Sequence, residues 1–460
     1  MEWNTLSIIE HVQRECLKRD GIPEKEWLRG TADRWSTTKY QDKTILSAMM
    51  LQYDELSEQI VNSFNNSDDS ERVKKILDET VFATANIYPL NGICFHDSEE
   101  RYGVLFQEGL RFWPLVMAVF AHTALFDDDN TKTSKGFLII KAMGFYSIEG
   151  LISLIIKDLT SPFTLYPVGL YNYFEESDET TKLRIHWIIK GLHGFVLSHE
   201  LAHIAHGHVK ADDSLIDSMP PPPSSYMKYA LEEANNSLKE MKDSGEFYFH
   251  INKYSSHHGY TLKKSKENSK YYQLSDVTPE LKDNVKRQQV ETHADRIAIQ
   301  SMWNMLIQNG YDDDIVFCHF IGVACFFWYQ EYLERVQAII VTKNENASPS
   351  IFPNTLLAQN IFERQDHPAP LTRFERAVNI ISNSSTSENI DAAKLLKDIW
   401  EDVSIMFSGA WDQYVPQYLK TRIEQEDINL HSKWFDDIPF PEDVELNVLG
   451  LIGARRYFAS

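Results

Sequence analysis

The stretch from Thr181 to Val209 constrains this chain more than any other. Apolar residues lie nearly all round a helix drawn through it, with Ile185, Ile188, Leu192 and Val196 along one face. Such a helix belongs inside a protein rather than on its surface. Gly191 and Gly194 leave room for a close neighbour. In the middle of this apolar helix stands S-H-E-L-A-H-I-A-H-G-H, which carries His199, Glu200 and His203. Each of those three side chains costs free energy to bury without a partner. A dication would satisfy all three together.

The pattern H-E-x-x-H has its own geometric logic. Histidines four apart share a helix face one turn apart, so His199 and His203 can reach a single metal ion. Glu200 is then placed to take a proton from a water activated there and to pass it to a leaving amine. Two imidazoles and a carboxylate with one open position favour zinc. The third ligand has to be sought downstream. Glu291-Thr-His-Ala-Asp295 puts two carboxylates four apart on one face of the next strong helix. Glu291 is the leading third ligand, and Asp295 is placed to accept a hydrogen bond from a ligand imidazole. Glu232 and Glu233 rank below it, because they follow a proline break and have no acid four positions on. The metzincin spacing does not fit, since His206 and Val209 occupy the positions where glycine and histidine would fall. On a continuing helix neither His206 nor His208 returns to the same metal, so both read as helix-end residues near Gly207. Further on, Asp366-His367-Pro368-Ala-Pro-Leu-Thr-Arg373 offers an imidazole for an oxyanion and a guanidinium for a buried carboxylate.

The rest of the chain frames this constellation. Residues 1–80 read as an N-terminal lobe of polar amphipathic helices, with Ile8, Ile9 and Val12, and Leu46, Met49 and Met50, at helical spacing. Residues 81–385 form the core. Strand-like signals lie in F-A-T-A-N-I-Y and F-T-L-Y-P-V-G-L-Y-N-Y-F, and helical ones at Val104–Leu125 and Ile148–Ile156. An insertion at about 210–277 opens on Pro220–Pro223 and is polar and lysine-rich. Thr278-Pro279-Glu280 predicts a helix start and Gly310 its stop, and a buried helix follows through Ile315–Val336. Residues 386–460 read as a mainly helical C-terminal region. The expected class is α+β and predominantly helical.

Charge narrows the partners. With 45 Lys and Arg against 67 Asp and Glu, the net charge of −22 repels phosphate backbones and anionic leaflets, so neither nucleic acid nor a membrane surface is expected as a partner. It favours instead a protein target that presents a basic face. Cys16, Cys94, Cys318 and Cys325 form no C-x-x-C pair, which fits a reducing compartment. No secretory signal is visible, and the run Ile315–Tyr329 is short for a membrane span and contains His319. A cytoplasmic location is the expectation.

Taken in order, H-E-L-A-H, E-T-H-A-D and H-P-x-x-x-x-R resemble the gluzincin metallopeptidases. They are most similar to the Lit phage-exclusion peptidases, and resemble the HtpX-type peptidases as well. The resemblance covers roughly residues 185–380. It implies a zincin-like peptidase core with added helical lobes, a zinc ion on His199, His203 and Glu291, and Glu200 as catalytic base. It implies supporting places for Asp295 and Arg373 and a catalytic place for His367. The Lit likeness suggests a specific intracellular protein substrate, such as a translation factor cleaved in phage defence. Two features depart from these families: HtpX-type enzymes are usually membrane-embedded, and the 88 residues from His203 to Glu291 exceed the Lit spacing. Two other readings stand beside it. One is a repressor-cleaving regulatory peptidase of the ImmA/IrrE sort, and the other a non-catalytic zinc-binding interaction protein.

Overall fold

The computed structural model describes residues 48–64, 66–85, 92–96, 102–107, 109–126, 177–210, 227–228, 231–232, 249–253, 260–264, 279–342, 370–383 and 394–407. In chain order the elements are α1 (Tyr53–Asn62), α2 (Ser67–Asp78), β1 (Val81–Ala85), β2 (Gly92–His96), β3 (Tyr102–Gln107) and α3 (Gly109–Phe126). There follow α4 (Glu179–Ala205), a 3₁₀ turn at His208–Lys210, β4 (Phe249–Lys253), β5 (Tyr260–Lys264), α5 (Pro279–Gln308), α6 (Asp313–Thr342), α7 (Pro370–Asn383) and α8 (394–407). The described chain is predominantly helical. A three-stranded sheet has the order β1-β3-β2, with β1 parallel and β2 antiparallel to β3. A separate hairpin pairs β4 with β5.

The central helix starts and stops where its chemistry dictates. Asp178 caps α4 by accepting from the Thr181 backbone N–H at 2.8 Å, and an acid there also favours the positive helix end. Every residue from Gly191 to Ala205 is buried, as an all-round apolar sequence requires. His206 follows as the C-cap, and Gly207 turns the chain at φ +73°, a conformation glycine adopts at little cost.

Helix α6 packs along α4 through a glycine pair. A β-carbon on Gly191 would stand 2.0 Å from the His319 carbonyl oxygen, and one on Gly322 would stand 2.1 Å from that of Ile188. The two backbones are thus in contact. Near their starts Arg184 donates to Asp314 at 3.0 Å. Around the crossing, Phe320, Ile321, Val323, Phe326, Phe327 and Trp328 of α6 are buried. His319 is buried too, and its Nδ1 lies 2.9 Å from the Ile315 carbonyl, so it is a core histidine served by its own helix. No helix among the described residues is long and apolar enough to cross a membrane.

Helix α5 packs on the other flank of α4, and its course matches the sequence signals. It begins at Pro279 and ends at Gln308. Gly310 then sits at φ +67°, and the Tyr311 N–H returns to the Leu306 carbonyl at 3.1 Å. Helix α1 seals the same core, where Gln52 Nε2 donates to the Lys190 carbonyl at 3.1 Å and Gln59 Nε2 to Gln308 Oε1 at 2.6 Å. Strand β2 lies against α4, with Gly92 beside Val196 and Glu200.

One local expectation needs correction. Val104–Gln107 belongs to β3 rather than to the following helix, which starts at Gly109. The run Val104, Leu105 and Phe106 is apolar at every position, so its period cannot distinguish a buried strand from a buried helix. Several other expectations lie outside the described residues. They include helices before residue 48, the segments at Ile148–Ile156 and 163–174, and Pro220–Pro223. His367, Glu233 and residues 408–460 lie outside as well.

Candidate metal centre

Two pairs of side chains, each four residues apart, face one another across the α4–α5 contact. His199 and His203 occupy successive turns of α4, while Glu291 and Asp295 occupy successive turns of α5. All four are buried. A rise of ~1.5 Å per residue gives each pair the same span of about 6 Å, so neighbouring helices bring them side by side.

The distances describe a metal-sized cage. His199 Nε2 and His203 Nε2 are 3.0 Å apart. The nearest Glu291 oxygens lie 3.4 Å from His199 Nε2 and 3.5 Å from His203 Nε2. Tetrahedral zinc with bonds of about 2.0–2.1 Å holds its ligand atoms about 3.3 Å from one another. The two Glu291 contacts end on its different oxygens, Oε2 and Oε1, and with one ligand atom from each residue within 4.8 Å of the others His199, His203 and Glu291 form a group able to hold a metal ion. Two ring nitrogens and a carboxylate oxygen suit zinc among other divalent ions.

Behind this triad the second carboxylate is locked in place. His199 turns its other nitrogen, Nδ1, toward Asp295 Oδ1 at 3.0 Å, a close approach that is not aligned as a hydrogen bond. Asp295 also receives two hydrogen bonds from Arg373 of α7, from Nε to Oδ2 and from an Nη to Oδ1, both 2.8 Å. The same Nη donates to Glu291 Oε2 at 3.3 Å. A paired, planar fork of this sort fixes both partners. Arg373, expected to pair with a buried carboxylate, therefore meets two, and its guanidinium carbon lies 5.6 Å above the Phe327 ring centre.

Electrostatics follow from burial and neighbours. Burial alone would raise the Asp295 carboxyl, but Arg373 and His199 hold it below the usual carboxylate range. Burial would likewise push His199 down, yet the Asp295 and Glu291 carboxylates raise it to about 10. Acids that draw a proton so strongly onto an imidazole also draw a dication. Glu200 is buried next to the triad and packs on Gly92, whose β-carbon would come within 2.9 Å of its Cγ. The Cys94 thiol hydrogen-bonds to Glu200. Burial, with the charges of Glu200 and Glu291, pushes this thiol well above its usual value.

Of the other acids considered for the third ligand, Glu232 is exposed and pairs with Lys228 at 4.0 Å, outside the triad. Three residues near the centre carried no expected role there. His208, left as a helix-end residue, reaches His203 because Gly207 breaks the helix and folds the next residue back. His293, inside E-T-H-A-D, meets His208. Cys94 sits on β2, and only the tertiary packing of that strand brings it to Glu200. The G-H pair after the motif was the readable signal for His208, since a left-handed glycine redirects the following side chain.

Comparisons with protein-family models, with curated proteins and with solved structures found no match.

Proposed function

We propose that this chain is a zinc-dependent endopeptidase with a gluzincin-type site, acting on a protein substrate in the cytoplasm. The observation that carries the reading is the buried His199–His203–Glu291 group, able to hold a metal ion, with a buried carboxylate, Glu200, next to its first ligand. A structural site needs no additional acid there. A zinc ion held by His199, His203 and Glu291 would supply Lewis acidity, to lower the pKa of a water and polarise a peptide carbonyl.

The chain's own residues do the remainder. Glu200 accepts the proton of the attacking water as its oxygen bonds to the carbonyl carbon. Glu200 then returns that proton to the amide nitrogen as the carbon–nitrogen bond breaks, so one carboxylate serves both half-steps. Arg373 and Asp295 hold Glu291 and His199 in place and do not touch the reacting atoms. The surrounding α6 aromatics keep water from the back of the site. His367 is assigned to oxyanion stabilisation on the sequence alone, from the chemistry of its imidazole in D-H-P and its match to the H-P-x-x-x-x-R motif. The Lit likeness makes a specific intracellular protein, of the kind cleaved in phage defence, the substrate class to examine first.

Glu200→Gln is the decisive variant. It keeps the size of the side chain and all the ligands, so zinc content should match wild type while cleavage disappears. New protein termini mapped in cells expressing wild type, and absent with Glu200→Gln, would identify the target. Equal sets of new termini from both proteins would refute the mechanism. Zinc bound with no new termini from either would favour the non-catalytic zinc-binding reading.

A further inference from the structure

The two histidine ligands are supported by different chemistry. His199 has the Asp295 carboxylate behind it. Among the described residues His203 has no acid in that place. Its Nδ1 lies 3.2 Å from Nδ1 of His208, and Nε2 of His208 lies 3.3 Å from Nδ1 of His293. Three imidazoles therefore stand in series, leading from the second ligand toward α5.

We infer that His208 and His293 are positioning residues for the second ligand, holding the His203 ring in the tautomer that leaves Nε2 free for a metal ion. The inference rests on the metal reading above and deepens it. Its logic is proton counting. A neutral imidazole carries one N–H and one lone pair. If Nε2 of His203 gives its lone pair to a metal, Nδ1 carries the proton and must donate. His208 then accepts at Nδ1, which puts its own proton on Nε2. That proton points at Nδ1 of His293, which accepts in turn and carries its proton on Nε2. Two assignments satisfy both contacts, and this one alone leaves Nε2 of His203 free; the reverse places a proton there and blocks the metal.

His206 completes the setting without joining the series. Its ring packs against Phe64 and His293 with centres 4.7 Å away in each case, and its buried Nε2 has no hydrogen-bond partner among the described residues. A neutral support also suits the charge of the site, because a second carboxylate behind His203 would add another buried negative charge.

Zinc affinity of the full-length protein, measured by competition with a chromophoric chelator, tests this. Residues that orient a ligand histidine typically change metal affinity by about 10- to 100-fold. His208→Leu should weaken zinc by that much, with one equivalent still bound. His208→Asn, whose Oδ1 can accept in place of Nδ1, should stay within about threefold of wild type. His293→Leu should lose less than His208→Leu, since it removes the second contact and leaves the first. His206→Phe, which keeps the packing, should leave affinity unchanged. The inference is overturned if His208→Leu binds as wild type does, if Asn is as weak as Leu, or if His206→Phe is as weak as both. Should His208→Leu fail to fold, the same comparison is made between His208→Ala and His208→Asn. Failure of the underlying reading is distinguishable, because wild type itself would then bind no zinc.

Discussion

Replacing Gly191 by alanine sets two effects of opposite sign against each other. In a helix interior, Gly→Ala gains about 1 kcal/mol of intrinsic propensity. At this crossing the new β-carbon would stand 2.0 Å from the His319 carbonyl oxygen, 2.5 Å from its Cα and 2.6 Å from its carbonyl carbon. Ordinary contact begins at 3.4 Å, so the shortfall is about 1.4 Å. All three obstacles are backbone, which no rotamer change can move aside. Helix α6 must back away from α4, and the buried aromatics between them lose their fit. Overpacking of a tight core costs about 1–3 kcal/mol, and the upper end applies where the backbone cannot yield. The net expectation for Gly191→Ala is a loss of about 2 kcal/mol. Chemical denaturation followed by circular dichroism reads this as a lower midpoint with an unchanged slope. Gly194→Ala is the internal control. Its β-carbon would meet the flexible end of Gln52 at 3.0 Å and the Met302 methyl at 3.5 Å. Those groups can move, so propensity should nearly offset the crowding. A Gly191→Ala protein as stable as wild type, or more so, would refute the backbone contact between α4 and α6.

Two other perturbations test the buried charges. Arg373→Met leaves Asp295 and Glu291 without their shared cation, and removing one partner of such a buried pair costs about 3–5 kcal/mol. Denaturation in chelator should show that loss and added zinc should recover part of it, whereas a loss below ~1 kcal/mol would contradict the pairing. His193 and His319 are each lowered by burial to about 4, while Nε2 of His193 lies 2.8 Å from the Leu110 carbonyl and Nδ1 of His319 is served by Ile315. Unfolding exposes them to take up protons near their usual value of about 6.5, so their contribution is full above that pH and is lost as pH falls toward 4. The stability of His193→Gln and His319→Gln proteins, followed from pH 7.5 to 4.5, should fall less steeply than that of wild type. Parallel curves would count against neutral burial.

Much of the candidate site was legible in the sequence, because its parts obey helical spacing. His199 with His203 and Glu291 with Asp295 are both i, i+4 pairs, and a pair on one helix needs no tertiary information to be recognised. The α5 boundaries were legible for a similar reason, since Pro279 and Gly310 act locally on the backbone. The strand at Tyr102–Gln107 was not, because an unbroken apolar run has no period to read. Nor was Cys94, whose approach to Glu200 depends on how β2 packs against α4. His208 reads from the sequence as a helix-end residue outside the triad, and so it is, but its approach to His203 was not legible. That approach depends on the direction the chain takes after Gly207 at positive φ, which helical spacing does not give.

Charge accounting explains why these features occur together. Glu200, Glu291 and Asp295 are three buried carboxylates, and Arg373 is the cation that binds two of them. With all four ionised and the imidazoles neutral, the cluster carries two negative charges. Burying such an excess costs far more than the surrounding apolar contacts contribute. A dication brings the cluster to neutrality, and without one His199 takes up a proton, as its rise to about 10 indicates. The neutral imidazoles behind His203 fit the same constraint, since a carboxylate there would leave a negative charge that a dication does not cancel. Arg373 is also required by this balance: without it the site would hold three acids around one dication. The most economical reading of the H-E-x-x-H helix, the second acid pair and the distant arginine is therefore one electroneutral unit. Its members lie far apart in the sequence because three separate helices must each deliver a charge to the same few cubic ångströms.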